Sequence, residues 1–200
     1  IEMSIATWLH DAGVQSLRIG TGRRSLRDVW VDPFIGYSHA CYEGASEIIT
    51  LYEGNQQFQL HDGASPEKMR IIHNGIDYDR YSAVPRRKSA RPTIALIGRV
   101  VPIKDVKTYI RAVAMVKATL PDLEALVLGP TDEDEGYYEE CRDMVKQLDL
   151  EGTVTFAGHV RLTEHLGGVD VVVLTSISEA QPLVVLEAGA VGIPSVTTDV

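Results

Sequence analysis

Short apolar runs alternate with helically spaced apolar positions along the second half of the chain. Residues 93–97 are almost continuously apolar and end at Gly98, which predicts a strand buried on both faces. Apolar residues then recur every three or four positions, which predicts a helix over 104–119. The same alternation predicts strands at 123–128, 153–156, 171–174 and 195–198, and helices at 137–148, 162–166 and 183–191. Strands that alternate with helices form βαβ units, so we expect a doubly wound, Rossmann-like parallel sheet.

Residues 1–90 show a less regular pattern of the same α/β kind. Helices are predicted near 5–9 and over 34–45, and a strand at 47–50 precedes a helix at 52–60. A further strand at 69–73 leads into Asn74-Gly75, a dipeptide typical of tight turns. This pattern predicts the tail of an earlier α/β domain. We expect the chain to be cut at both ends, since it begins without Met and its last strand lacks a following loop.

Charge is distributed unevenly and suggests a domain boundary. Residues 1–90 carry 11 acids and 10 Lys and Arg, whereas residues 91–200 carry the other 17 acids and 9 Lys and Arg. Between these halves lies a basic segment bracketed by Pro85 and Pro92, which is typical of a linker. We therefore predict a first domain at 1–85, a linker at 86–92 and a second domain at 93–200.

Composition excludes several classes of protein. A net charge of −9 and a pI near 5.1 give no basic footprint for nucleic acid. No apolar run approaches the ~20 residues of a membrane helix, so no membrane span is expected. Two cysteines without a CxxC motif are too few for a disulfide scaffold or a cysteine zinc site. They fit a reducing cytoplasm.

Candidate chemistry lies just after the strands, because ligands of doubly wound sheets bind outside the carboxyl ends. Gly98 would let the backbone approach a ligand, and Arg99 and Lys104 add two cations beside a predicted helix N-terminus. This combination suits a diphosphate. The alternative is that both cations are ordinary solvated surface residues.

Two glutamates bracket the start of the helix predicted at 183–191. Glu179 should lie on the preceding loop and Glu187 inside the helix, since Pro182 suits a first helical turn. A continuous helix would separate them by roughly 12 Å at ~1.5 Å per residue. That exceeds the separation of paired glycosidase carboxylates. Carboxylates beside a phosphate site fit acceptors for sugar and ribose hydroxyls better, although a solvated pair is the simpler alternative.

Other candidates are weaker. The turn at Gly158-His159-Val160 could bring backbone against a base ring, and no second ligand supports His159 as a metal residue. The acidic run 132–135 lacks calcium-loop spacing and is interpreted as a solvated loop. Gly20-Thr21-Gly22 lacks the third glycine of a dinucleotide loop, and GxxxxGK[ST] is absent. No metal site is predicted.

Several motifs together resemble glycosyltransferase family 4, over roughly residues 46–200. They are Asn74-Gly75-Ile76-Asp77, Gly98-Arg99 with Lys104, and Glu179-x7-Glu187 followed by Gly192-Ile193-Pro194. Narrower stretches at 49–53, 129–134 and 137–141 resemble the PelF group, the cytosolic transferases of Pel exopolysaccharide synthesis.

This resemblance implies a GT-B fold, with 1–85 as the end of the acceptor-side domain and 93–200 as most of the donor domain. It implies catalytic roles for Arg99 and Lys104 on the donor diphosphate and for Glu179 on the sugar. Glu187 would bind the ribose, and Gly158, His159 and Val160 would lie against uracil. The remaining donor-binding residues would be Gly98, Ala180, Gln181, Leu183 and Val184.

The implied activity is transfer of a sugar from a UDP-sugar, UDP-glucose for PelF-like members, to a growing glycan, with retained anomeric configuration and no metal. A bacterial cytoplasmic location and docking to an inner-membrane polysaccharide synthase complex follow by analogy. Two alternatives remain open. One is a nucleotide-sugar epimerase of the same fold, and the other is a nucleotide-binding module without transfer activity.

Overall fold

A computed structural model describes residues 41–199, which fall into two compact units. Of these residues, unit 1 comprises 41–75 together with Glu179–Gln181, and unit 2 comprises 76–178 and 182–199. The helix and the glycine pair predicted within residues 1–40 lie outside the described residues. Of the helix predicted at 34–45, residues 41–44 are described and are helical. Within residues 41–199, no helix is both long and apolar enough to cross a bilayer.

Unit 1 contains a parallel two-stranded sheet. Strand β1 (Ile48–Thr50) pairs with β2 (Met69–Ile71), and helix α1 (Glu53–His61) with a 3-10 turn (Pro66–Lys68) connects them. This is the strand–helix–strand order that the sequence predicts. A small apolar core forms around the sheet from Tyr42, Ile48, Ala64 and Met69.

The prediction of a tight turn at Asn74-Gly75 is wrong. Residues 72–77 are assigned neither turn nor helix. The Asn74 backbone N–H donates to the Gln181 side-chain Oε1 at 2.5 Å, and its Nδ2 donates to the Gln181 carbonyl at 3.0 Å. These bonds occupy the polar groups that a tight turn would otherwise satisfy locally. The dipeptide therefore runs through unit 1 without reversing the chain.

Unit 2 is an α/β domain with one sheet. Its elements are α2 (Tyr78–Ser82), β3 (Thr93–Ile97), α3 (Val106–Lys117), β4 (Glu124–Leu128), α4 (Glu135–Gln147), β5 (Val154–Gly158), α5 (Leu162–His165), β6 (Val171–Leu174), α6 (Leu183–Val191) and β7 (Ser195–Thr197). All strand pairs are parallel, in the order β5-β4-β3-β6-β7. The chain winds outward from β3 in one direction and then from β6 in the other. The predicted doubly wound sheet is confirmed, and its topological switch point lies between β3 and β6.

Helices cover both faces of this sheet. One apolar cluster joins α3 and α4 to Leu96, and a second joins α2 and α6 to Ala95. Leu96 and Ala95 are neighbours in β3, so their side chains point to opposite faces of the sheet. The two clusters therefore lie on opposite faces. The buried face of α4 consists of Tyr137, Cys141 and Val145.

Met144 and Leu148 lie outside this buried face. Leu148 is 40% exposed, and Met144 only packs against the edge of the cluster. The buried positions recur every four residues, so the helix turns Leu148 away from the sheet.

The basic segment predicted as a linker packs against unit 2. The Arg86 guanidinium donates to the carbonyl of Val169, and the Arg87 backbone N–H donates to the carbonyl of Gly167 at 2.7 Å. Both acceptors lie at or just after the 3-10 turn Leu166–Gly168, where unpaired carbonyls attract cations. The boundary between the compact units falls after Gly75 rather than in this basic segment.

Two glycines let the loops after β3 and β4 approach closely. Gly98 has φ +154° and Gly129 has φ +156°, values that L side chains rarely adopt. A Cβ atom at position 129 would overlap the carbonyl oxygen of Gly98. The loops are joined by hydrogen bonds from Gly98 N–H to Leu128 and from Val100 N–H to Pro130, both 2.9 Å.

Gly129→Ala should lower the free energy of unfolding by roughly 2–5 kcal/mol, because it combines backbone strain with overlap against backbone. Urea unfolding measures this loss. Gly136→Ala is the matched control, since the nearest atom to a Cβ there is 3.7 Å away and the residue lies within α4. The control should be neutral or up to ~1 kcal/mol more stable. Equal stability of the two variants would contradict the close approach.

Candidate functional site

The loops that follow β3 and β6 are bonded together at the switch point. The buried Thr175 hydroxyl donates toward the carbonyl oxygens of Lys104 and Asp105, which lie 3.1 and 2.9 Å away. The Ile177 N–H donates to the Ile103 carbonyl at 2.8 Å. The two loops thus form one base at the carboxyl edge of the sheet, where doubly wound domains bind ligands.

Lys104 lies over Gly98. A Cβ atom at position 98 would be 3.4 Å from Lys104 Cε, an ordinary contact distance, so the lysine stem runs alongside this glycine. The lysine is half-buried and ends the 3-10 turn Pro102–Lys104. The predicted position of Lys104 at the start of a helix is therefore wrong, since α3 begins only at Val106.

The N-terminus of α3 is capped by the protein itself. Asp105 adopts a left-handed conformation with φ 44°, and its Oδ1 accepts from the Thr108 N–H at 3.2 Å. Its Oδ2 accepts from the Thr108 hydroxyl at 2.7 Å. This carboxylate satisfies a first-turn amide and offsets the positive end of the helix dipole. The Thr108 amide at this helix end is therefore already bonded, and binding of an anion by the two cations beside it stays a prediction.

The N-cap residue of α6 differs from that of α3, because it is a proline. This residue, Pro182, makes no side-chain cap hydrogen bond. First-turn amides have no acceptor within their own helix, and the dipole there favours negative charge. Leu183 is exposed at this end, whereas the Val184 side chain is only 9% exposed and lies in the second apolar cluster. Because the Val184 side chain is packed in this core, its backbone N–H is the group that remains for the predicted binding of the donor substrate.

Arg99 forms an ion pair with the acidic run. Its Nη1 lies 2.5 Å from Glu133 Oε1, and the two side chains are 52% and 48% exposed. Asp134 in the same run caps α4 by accepting from the Tyr137 N–H at 2.9 Å. The run is thus a mostly exposed loop in which two carboxylates also bond within the protein. A pair this exposed contributes only about 0–1 kcal/mol, so an arriving anion can displace Glu133 easily.

Glu187 accepts a short hydrogen bond that the sequence does not predict. The Tyr81 hydroxyl of α2 donates to Glu187 Oε1 at 2.6 Å. Burial, reinforced by the bond to Glu187, raises the pKa of Tyr81 to about 12. Tyr81 therefore stays protonated and acts as a donor at neutral pH. No sequence signal identifies Tyr81, because the contact joins distant parts of the chain.

Gly158 lies at the same edge as Gly98. Its carbonyl accepts from the Gly129 N–H at 2.9 Å, and Gly129 in turn approaches Gly98. Gly158 has φ +68° with open space where a Cβ would point. His159 is exposed, whereas Val160 packs partly against the second apolar cluster. The backbone at this turn is thus open to a planar ligand.

Glu179, Ala180 and Gln181 group with unit 1 rather than with the other predicted donor-binding residues. All three are half-buried, and Gln181 accepts both of the hydrogen bonds from Asn74 described above. In the described part of the chain, no three His, Cys, Asp or Glu side chains gather as a metal-binding group. Unit 2 therefore carries Arg99 and Lys104, the first turn of α6, the Glu187 carboxylate and the Gly158 turn.

Known proteins resemble this chain in sequence and in structure. A D-inositol 3-phosphate glycosyltransferase of Streptomyces scabiei is 29% identical over 175 residues, which are 79% of this chain and 37% of the relative. HepE of Anabaena, crystallised with UDP and glucose, has a TM-score of 0.69 at 22% identity, over 83% of this chain and 47% of that one. A glycosyltransferase of Rickettsia africae has a TM-score of 0.74 at 17% identity, over 84% and 48%.

These likenesses confirm the predicted fold class, the parallel α/β sheet of GT-B glycosyltransferases. The chain spans 37% of the length of that curated relative. Residues 1–67 match a domain of unknown function, DUF3492. Residues 77–200 match the family described as "Glycosyl transferases group 1". The chain belongs to the group 1 glycosyl transferases.

Proposed function

We propose that this chain binds a UDP-sugar and serves a retaining glycosyltransferase that passes the sugar to a hydroxyl of a glycan. One observation carries the proposal: Lys104 lies over Gly98 at the switch point of a sheet whose family transfers sugars. A cation fixed against open backbone at this position suits the diphosphate of an activated sugar. Arg99 supplies a second cation, which is exposed and paired with Glu133.

The proposed roles follow the geometry of the residues. Lys104 and Arg99 bind the diphosphate, and Arg99 exchanges Glu133 for the ligand. Glu187 accepts a ribose hydroxyl, since a carboxylate can accept further bonds beside the one from Tyr81. Gly158 presents backbone to the uracil ring. In this proposal Glu179 contacts the sugar, and the exposed N-terminal turn of α6 receives a phosphate oxygen.

The proposed reaction breaks the bond between the anomeric carbon and the diphosphate oxygen. The acceptor hydroxyl oxygen bonds to that carbon on the same face, and its proton passes to the departing phosphate. The products are UDP and the extended glycan. Charge grows on the diphosphate as the bond breaks, so Lys104 and Arg99 would stabilise the transition state more than the ground state. No protein nucleophile and no metal ion enters this scheme.

We further propose UDP-glucose as the donor and an exopolysaccharide as the acceptor, as in the PelF group. The stretches 49–53, 129–134 and 137–141 support this proposal by their resemblance to that group. The glucose and UDP in the Anabaena HepE crystal are in keeping with it. The location we propose is the bacterial cytoplasm, with docking to an inner-membrane polysaccharide synthase complex.

Arg99→Ala and Lys104→Ala should each weaken UDP binding about ten- to hundredfold, because a charge-assisted hydrogen bond contributes roughly 1.5–3 kcal/mol. Isothermal titration calorimetry measures the affinity, and circular dichroism checks the fold. Lys107→Ala is the matched control, since this lysine lies in the first turn of α3, close to Lys104 in sequence, and its Nζ is bound to Glu140 of α4 at 2.5 Å. The control should bind UDP within about twofold of the wild type. Unchanged affinity in both test variants would refute the diphosphate site.

Glu179→Ala should leave the affinity for UDP unchanged and reduce the preference for UDP-glucose over UDP. The reason is that the substitution removes a contact to the sugar and none to the nucleotide. Two titrations, one with each ligand, give this ratio. An equal loss of affinity for both ligands would show that Glu179 does not contact the sugar. The anomeric configuration of the product, read by NMR, tests the retaining course separately.

A further inference from the structure

The hydrogen bond between Tyr81 and Glu187 is the shortest polar contact that the structure gives to Glu187. The hydroxyl donates to Oε1 at 2.6 Å, and the Tyr81 residue is only 8% exposed. A hydrogen bond to a carboxylate in such a place is stronger than a neutral one and is little screened by water. It therefore limits where the Glu187 carboxylate can turn.

The Tyr81 ring is itself held firmly. It belongs to the second apolar cluster with Val184 and Ala188 of α6, the helix that carries Glu187. The Arg80 guanidinium lies 5.7 Å from the centre of the ring. Since a tyrosine has few rotatable bonds, a packed ring fixes the position of its hydroxyl. The Tyr81 hydroxyl therefore has a fixed position relative to α6, the helix that carries Glu187.

We propose that Tyr81 is a positioning residue that sets the Glu187 carboxylate to select ribose over deoxyribose in the bound nucleotide. This inference rests on the proposed function, in which Glu187 binds the ribose. Tyr81 holds Oε1, so that Oε2 faces a direction determined by the protein before any ligand arrives. A ribose hydroxyl then meets an acceptor that is already oriented, and a deoxy sugar leaves that acceptor without its partner.

Tyr81→Phe should keep the ring packing and remove the hydroxyl alone. Without this hydrogen bond the Glu187 carboxylate can rotate, so it should distinguish ribose from deoxyribose less well. We expect the ratio of UDP affinity to 2′-deoxy-UDP affinity to fall about three- to tenfold. This is less than the full effect of losing a charge-assisted hydrogen bond, because Glu187 itself is still present. Calorimetric titration of the full chain with both nucleotides measures the ratio.

Two further variants isolate the role of Tyr81. In a Glu187→Ala background, Tyr81→Phe should leave the ratio unchanged, because the residue acts through Glu187. Tyr109→Phe is the structural control. It also removes a buried hydroxyl, one that lies 3.1 Å from the carbonyls of Ile94 and Leu126 beneath α3. It should cost stability in urea without changing the ratio.

The other outcomes overturn the inference. An unchanged ratio in Tyr81→Phe, or an equal loss of affinity for both nucleotides, would leave Tyr81 a purely structural role. Tighter UDP binding by Tyr81→Phe would show that its hydroxyl competes with the ligand for Glu187. If the wild type binds neither nucleotide, the proposed function fails and this inference fails with it. Wild-type binding combined with an unchanged ratio refutes the inference alone.

Discussion

The candidate site depends on the hydrogen bonds that join the loop after β3 to the loop after β6. These strands are neighbours in the sheet but lie far apart in the chain, and their connections leave in opposite directions. The two loops are also bonded to each other directly at the carboxyl edge of the sheet. The buried Thr175 hydroxyl and the Ile177 N–H provide this tie by bonding to carbonyls at 103–105. Lys104 is part of that bonded segment, so its backbone is fixed before a ligand arrives.

The electrostatic arrangement of unit 2 follows from this tie. A chain of net charge −9 would repel a diphosphate in general, so local cations and helix ends must overcome that repulsion. Asp105 caps the helix nearest Lys104, whereas the N-terminus of α6 carries no side-chain cap. Arg99 is neutralised by Glu133 and can be released at little cost because the pair is exposed.

Local patterns predicted the sheet and most of its elements. Apolar runs ending in glycine identified the strands, and the predicted helix at 183–191 matches α6 as observed. The position of Gly98, Arg99 and Lys104 after the first strand of the second domain followed from the same pattern. These successes share a cause, since each depends on residues close together in the sequence.

Contacts between distant residues could not be predicted in this way. The pairing of Arg99 with Glu133 and of Tyr81 with Glu187 depends on which helices pack side by side. Asp105 adopts a left-handed conformation and caps α3, so the helix begins at Val106 and excludes Lys104. The apolar periodicity of the sequence had predicted a start at Lys104. Asn74-Gly75 has turn chemistry, but Gln181 occupies its hydrogen-bonding groups. In each case tertiary contact overrode a local preference.

Calorimetric titration of the full chain with UDP, UDP-glucose, UDP-N-acetylglucosamine and NAD, each with and without EDTA, tests the central claim most directly. The claim is that the switch-point loops bind the donor of a sugar transfer. Binding of the uridine ligands, unaffected by EDTA, with UDP-glucose preferred among the sugars, is the expected result. Preference for NAD, or failure of every uridine ligand to bind, would contradict it.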